Sequence, residues 1–316
     1  MNLKRSLFSK KESKGKVSEM KDFLKSDELK ESGSGKLMIV PKLAGLGIGL
    51  KAQSNMMSSS KLNKQEADEV NRRLLDVAKK QNTKVVNSNS SLGSYVSEDS
   101  IKSAKRQVKK YQKRKGLSDS EVESLLKKNQ PRDSHIIDEV FRPKHKDVVT
   151  LGKKGTKASD PAVLAHELGH SQYRRKDGTG GAIGKIAHKA NTGFLKKNTS
   201  TISLVNGIHS GIKEEKAKQE GKKVSTWNKA KTIAIPVALS APLLISEAAA
   251  SKKGLEMLKK SGASKELIKD SKKLLGVNYG TYLAHAGKNV ASGEVGRRIG
   301  KSWVKYKNKK TDKKED

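Results

Sequence analysis

Two histidines four residues apart, in the run Val163-Leu164-Ala165-His166-Glu167-Leu168-Gly169-His170, constrain this chain more than any other feature. The run follows Ser159-Asp160-Pro161, a polar cap position and a proline suited to a first helical turn. The signals predict a helix over residues 162 to about 173. Val163, Leu164 and Leu168 give that helix an apolar side that owes nothing to the histidines. Residues four apart share a helix face, so both imidazoles can turn to one metal ion. Glu167 stands beside them without taking a coordination position. Zinc accepts neutral imidazole readily, keeps an open position in catalytic sites and lowers the pKa of a bound water to about 7. Glu167 is then the candidate general base, taking the water's proton and passing it to a leaving amine.

Two protein ligands and a water leave a third ligand to find. A third histidine six residues after His170 is absent, since position 176 is Lys and position 173 is Tyr. Asp177, His188, His209, Glu214 and Glu215 are alternatives, but Asp177 follows three basic residues and the two glutamates sit among lysines, where charge runs usually face water. Glu247 is the better candidate. It is the only charge between Lys231 and Lys252 and closes the uncharged run 232–246. A carboxylate buried among apolar residues must be paired or metal-bound. Ala248, Ala249 and Ala250 leave room for a second helix to approach, and Ser251, four residues on, shares the face of Glu247 and can bond a ligand from behind.

The sequence HELGH, an apolar segment, and then PLLISEAAASKKGLEMLKKSGA resembles the glutamate-ligand zinc metallopeptidases, the gluzincins. More narrowly it is similar to their neutral zinc metallopeptidase and HtpX-like branch, in a version of the kind carried by phages or mobile elements. The resemblance covers residues 138–282. It implies His166, His170 and Glu247 as zinc ligands, Glu167 as general base and an E-x-x-A-S helix beginning at Glu247. Ser251 occupies a position where relatives often have Asp. It also implies a strand ahead of the active-site helix that aligns peptide substrate by edge pairing, which would be residues 148–151. An oxyanion donor is needed as well. Tyr279, Tyr282 and His285 lie in one segment (NYGTYLAHAG); Tyr282 or His285 could serve, or the tyrosines could be core residues.

Composition sets the architecture around this segment. Apolar residues are 33% of the chain and aromatics 4%, too few to bury all of it. The expected fold is α+β and mainly helical: a zincin-like catalytic domain with a small sheet and the HExxH helix over residues 131–303. A basic, largely disordered or helical N-terminal region over 1–130 precedes it, and a basic tail over 304–316 follows. Residues 1–35 read as disordered, 37–50 as a strand or packing strip, 87–100 as a linker, and 178–184 as a glycine-rich break. Helices are expected over 64–80, 98–116, 118–128, 204–222, into Gly262 from the run before Glu247, and from Ser264 to Gly276. His135 and His145 read as surface residues. The absence of cysteine excludes a disulfide scaffold, a thiolate metal site and a cysteine nucleophile.

Lys and Arg number 68 against 33 Asp and Glu, a net charge of +35 spread over both halves of the chain. That excess implies non-specific attraction to nucleic acid or an anionic surface, without a recognised nucleic-acid fold. The N-terminus has no apolar core of a signal peptide, which points to a soluble, cytoplasmic or virion-associated protein. The run 232–246 is shorter than the roughly 20 residues needed to span a bilayer and reads as a buried core segment, so no segment reads as a clear transmembrane span. The leading expectation is a zinc-dependent metalloendopeptidase acting on protein or peptide. The rival is a non-catalytic, basic, nucleic-acid-binding virion protein with a vestigial metal site. A membrane-associated peptidase using 232–246 is a weaker third reading.

Overall fold

The computed structural model describes residues 54–88, 93–175 and 194–315, with the side chains of 132, 194–197 and 311–315 left aside. The expectations for 1–35, 37–50 and 178–184, and the alternative ligands Asp177 and His188, lie outside the described residues. The fold is mainly helical with one three-stranded sheet. Its elements are α1 (Lys64–Lys80), β1 (Thr83–Asn87), β2 (Ser94–Val96), α2 (Glu98–Lys115), α3 (Asp119–Asn129), α4 (Ser134–Phe141), β3 (Asp147–Leu151), α5 (Pro161–Arg175), α6 (Phe194–Gln219), α7 (Thr226–Lys260) and α8 (Lys265–Glu315).

The chain forms two compact units, and α7 and α8 each contribute to both. The first takes the described residues up to 175 together with 242–283. The boundary expected near Pro131 is therefore no boundary. β1, from the part expected to be loosely packed, pairs in parallel with β3 from Thr83↔Asp147 to Asn87↔Leu151. α1 buries Val70, Leu74 and Ala78 in the same core as Val149, Leu164, Leu168 and Leu258. The apolar residues of the first half are few, but they fall on one stripe of α1 and complete a core that α5 alone cannot close. The expected linker 87–100 contains β2, which pairs antiparallel with β3 at Ser94↔Thr150 and Val96↔Val148.

The sheet order is β1-β3-β2. β3 is thus central and paired on both sides, and it is buried along its whole length. It has no free edge to offer a peptide, which corrects the expected role of residues 148–151. Among the described residues, β1 and β2 are the outer strands.

Local capping works as the sequence indicates. Ser118 and Glu121 form a reciprocal capping box at the start of α3, and α2 ends at Gly116 in the left-handed conformation. Asp147 and Glu139 are buried and matched by several donors each. Asp147 accepts from Ser171 Oγ at 2.7 Å and from the Glu98 backbone N–H at 3.0 Å, and it pairs with Arg175. It thereby ties the start of β3 to the start of α2 and the end of α5. Glu139 accepts from the Lys144 and His145 backbone N–H groups at 2.8 and 2.9 Å and meets His145 Nδ1 at 2.8 Å and Lys84 Nζ at 3.3 Å. His145 is therefore partnered, as is half-buried His135, whose Nε2 lies 2.9 Å from Thr150 Oγ1. Neither is a plain surface residue.

The second unit takes residues 194–241 and 284 onward. α6 and α8 run parallel there, with Gly207 against Gly293, Gly211 against Arg297, and Gly296 and Gly300 against Leu204 and Ile208. Glu214 and Glu215, expected on a solvated face, are buried. Glu214 pairs with Arg297 at 2.7 Å and Lys301 at 2.6 Å. α7 does not begin after the apolar run; the run itself is helical and contains Pro236 and Pro242. It is not the buried core segment expected, since Ile233, Val237 and Ile245 are exposed and only Thr232, Pro236, Ser240 and Ser246 of it are buried. α8 passes through Gly276, where a stop was expected, and through the basic tail beyond residue 304. Their continuity follows from helical neighbours on both sides of these breakers, whose cost of about 1 kcal/mol for Gly and 3 for Pro packing can override.

Burial raises the Glu139 carboxyl, but its bonds to His145, Lys144 and Lys84 outweigh this and hold it at about 2, below its ordinary 4.5. A depressed carboxyl stabilises the fold above its unfolded value, so this contribution disappears as pH falls from about 4.5 to 2. Glu139→Gln is expected to cost about 1.5–3 kcal/mol at neutral pH and to flatten the stability loss in that acid window. Urea unfolding at a series of pH values reads both effects.

Candidate metal centre

α5 begins at Pro161, and the Asp160 carbonyl accepts from the Val163 N–H at 2.9 Å, so the first turn closes as the cap and proline dictate. Nine of its fifteen residues are buried, which makes it the core helix of the first unit. His166 and His170 project from one face, their ring centroids 4.8 Å apart and their planes at 82°.

The second half of α7 crosses that face antiparallel. Gly169 lies against the Ala250 backbone, and Gly254 against the Ala165–His166 backbone. A Cβ on Gly169 would stand 2.3 Å from the Ala250 oxygen, and one on Gly254 would stand 2.9 Å from the Ala165 carbonyl. Only glycine permits this approach, and it brings the whole Glu247, Ala250, Ser251, Gly254 face against the histidines.

Glu247 Oε2 lies 3.2 Å from His166 Nε2 and 3.5 Å from His170 Nε2. One ligand atom from each of the three residues fits within 4.8 Å, and among the described residues this is the one group of that kind. The other ring nitrogens are held from behind. His166 Nδ1 is 3.1 Å from Ser251 Oγ, and His170 Nδ1 is 3.4 Å from Ser246 Oγ. Both rings therefore aim Nε2 at the same carboxylate oxygen.

That oxygen is buried and, among the described residues, has no hydrogen bond of good geometry, the two Nε2 atoms being its nearest partners. Two imidazole nitrogens and a carboxylate facing one another need a proton or a cation between them, from the rings' own N–H groups or from a metal ion. Burial raises the Glu247 carboxyl, but the two histidines outweigh it and hold the group at about 2. Two imidazoles and a carboxylate are a zinc donor set, and ligand atoms about 2 Å from one ion stand about 3–4 Å apart. The residues fit a divalent ion.

Glu167 is buried beside the cluster, and burial pushes its carboxyl up to about 7, with His166 lowering it and the charge of Glu247 raising it further. The end of β2 closes over it. A Cβ on Gly93 would stand 2.6 Å from Val163 Cγ1 and 3.3 Å from Glu167 Oε1, so the strand can approach only with glycine there. Tyr95 stacks on His170 with centroids 5.8 Å apart and planes at 15°. Tyr282, on α8, stands near the same carboxylates. Burial, and then the charges of Glu247 and Glu167, push its hydroxyl well above the usual tyrosine range, so it stays protonated. His285 is exposed and belongs to the second unit, as do His209 and the ion-paired Glu214 and Glu215.

The sequence reading named His166, Glu167, His170, Glu247, Ser251 and Tyr282 in this place. It missed Ser246, Gly93, Tyr95, Gly169 and Gly254. Counting along the Glu247 face by three, four and seven residues reaches Ala250, Ser251 and Gly254, so that glycine carried a signal. Gly93 and Tyr95 carried none. Comparison with protein-family models, curated proteins and solved structures finds no match.

Gly169→Ala is expected to force α5 from α7 and lower stability by about 1–3 kcal/mol in urea unfolding. Gly276→Ala, whose Cβ meets nothing within 4 Å, is expected to be neutral or mildly stabilising.

Proposed function

We propose that the protein is a zinc-dependent metallopeptidase of gluzincin type, hydrolysing peptide bonds with a zincin-like arrangement on α5 and α7. One observation carries the reading. A buried carboxylate oxygen, Glu247 Oε2, which has no well-formed hydrogen bond among the described residues, faces the Nε2 atoms of His166 and His170 at 3.2 and 3.5 Å. Such a group is costly unless the ring N–H groups or a cation join it to the histidines, and the convergence of both Nε2 atoms on one oxygen suits a cation.

His166, His170 and Glu247 would hold the ion, with Ser251 and Ser246 fixing the two rings. A bound zinc would supply Lewis acidity and make a water acidic near neutral pH. Glu167, whose burial keeps its affinity for a proton high, accepts the proton of the attacking water and returns it to the leaving nitrogen. Tyr282, protonated at neutral pH, donates to the oxygen that gains charge as water adds to the peptide carbonyl. β2 is an outer strand among the described residues and lies beside Glu167 and His170, and an extended peptide can pair along Ser94–Val96.

Metal analysis and peptide hydrolysis test this reading together. Wild type is expected to carry about one zinc per chain and to cleave casein in a chelator-sensitive way. Glu167→Gln keeps the zinc and loses about 100- to 10,000-fold in rate. Glu247→Gln loses the zinc. Tyr282→Phe keeps the zinc and loses about 100-fold in kcat with little change in KM. Equal, chelator-insensitive cleavage by wild type and Glu167→Gln would remove the peptidase reading.

A further inference from the structure

The first half of α7 is inside out for a helix in water. In the second unit it runs antiparallel to α8: the Thr232 carbonyl, which Pro236 cannot bond, lies against Gly293, and Ser240 Oγ accepts from Asn289 Nδ2 at 3.1 Å. The face toward α8 is therefore Thr232, Pro236 and Ser240, all buried. The opposite face carries Trp227, Ala230, Ile233, Ala234, Val237 and Ala238, all exposed. Trp227 is 62% exposed, Ile233 58% and Val237 50%. Hydroxyls point in and apolar side chains point out, the reverse of the usual water-facing pattern.

α7 is the one described helix long and apolar enough to cross a membrane, and a buried core helix would pass the same test. It is not that: only 28% of its most apolar stretch is buried. Nor is it built to span. Its charge-free run 232–246 covers about 22 Å, against about 30 Å of hydrocarbon. A helix of this kind lies along an interface. Lys222, Lys223 and Lys229 are exposed just before the run, and Lys231 Nζ sits 5.9 Å over the Trp227 ring. An exposed tryptophan between lysines and an apolar strip is suited to the headgroup level of a bilayer.

We infer that the Trp227–Ala238 face of α7 docks on an anionic lipid bilayer. Charge decides between lipid and a second copy of the chain. Two copies meeting on this face would bring their lysines together in a protein of net charge +35, whereas anionic headgroups neutralise them. The inference is independent of the metal centre.

The test is co-sedimentation of the full chain with phosphatidylcholine vesicles, with and without phosphatidylglycerol, followed also by tryptophan emission. Binding is expected on the phosphatidylglycerol vesicles, with a blue shift that Trp227→Ala reduces and a strong decrease at high salt. The double variant Ile233→Ser/Val237→Ser changes only exposed positions and is expected to bind at least ten-fold more weakly, with unchanged circular dichroism. Lys222→Glu/Lys223→Glu/Lys229→Glu is expected to weaken binding and flatten its salt dependence. Absence of binding by folded protein at low salt overturns the inference. So does equal binding by the double-serine variant, which would mean adsorption by charge elsewhere. A lipid-free dimer that the serine substitutions dissociate, without vesicle binding, assigns the face to a second copy and overturns it equally.

Discussion

The backbone contact between α5 and the second half of α7 governs the rest of the first unit. Gly169 and Gly254 let two helices come together without side chains between them. At that separation Glu247, 77 residues after His170 in the chain, reaches the face that carries both histidines. Any side chain at either glycine would hold the carboxylate off, and the three ligand atoms would no longer share one point. The site is thus a consequence of helix packing, and its chemistry is secured from behind by two serines rather than by carboxylates.

The treatment of buried charge sets this site apart from the other acids in the protein. Asp147, Glu139 and Glu214 are each buried and each satisfied by lysine, arginine, histidine or backbone donors. Glu214 is held below its ordinary range by Lys301 and Arg297 against the opposing effect of burial. These are structural pairs. Glu247 faces two imidazoles with the Tyr282 hydroxyl nearby, and among the described residues neither it nor Glu167 pairs with lysine or arginine. A chain with twice as many basic as acidic residues leaves these two carboxylates without lysine or arginine, which is the arrangement expected where a metal and a proton acceptor are needed.

The local signals were readable because each lies within a few residues. The proline that opens α5, the Ser118–Glu121 box, the DVVTL strand and the lone charge of Glu247 all survive into the structure. What escaped was non-local or contrary to propensity. β2 is three residues long inside a Ser/Asn-rich stretch, and it becomes a strand only because β3 offers an edge. α1 has a modest apolar stripe whose partner lies about 90 residues away in sequence. α8 runs through Gly276 and α7 through its two prolines, with Pro236 buried against Gly293 of α8. The candidate ligands were legible from a two-histidine spacing and one isolated acid, while the strand beside them could not be found without the fold.

The central claim is that His166, His170 and Glu247 hold one divalent ion in common. X-ray absorption of the zinc-loaded protein tests it most directly. The account predicts a single site with nitrogen and oxygen neighbours at about 2.0–2.2 Å, an imidazole signature from two rings, and its loss in Glu247→Gln. A wild-type protein that fails to take up stoichiometric zinc, or a spectrum unchanged by Glu247→Gln, would contradict it.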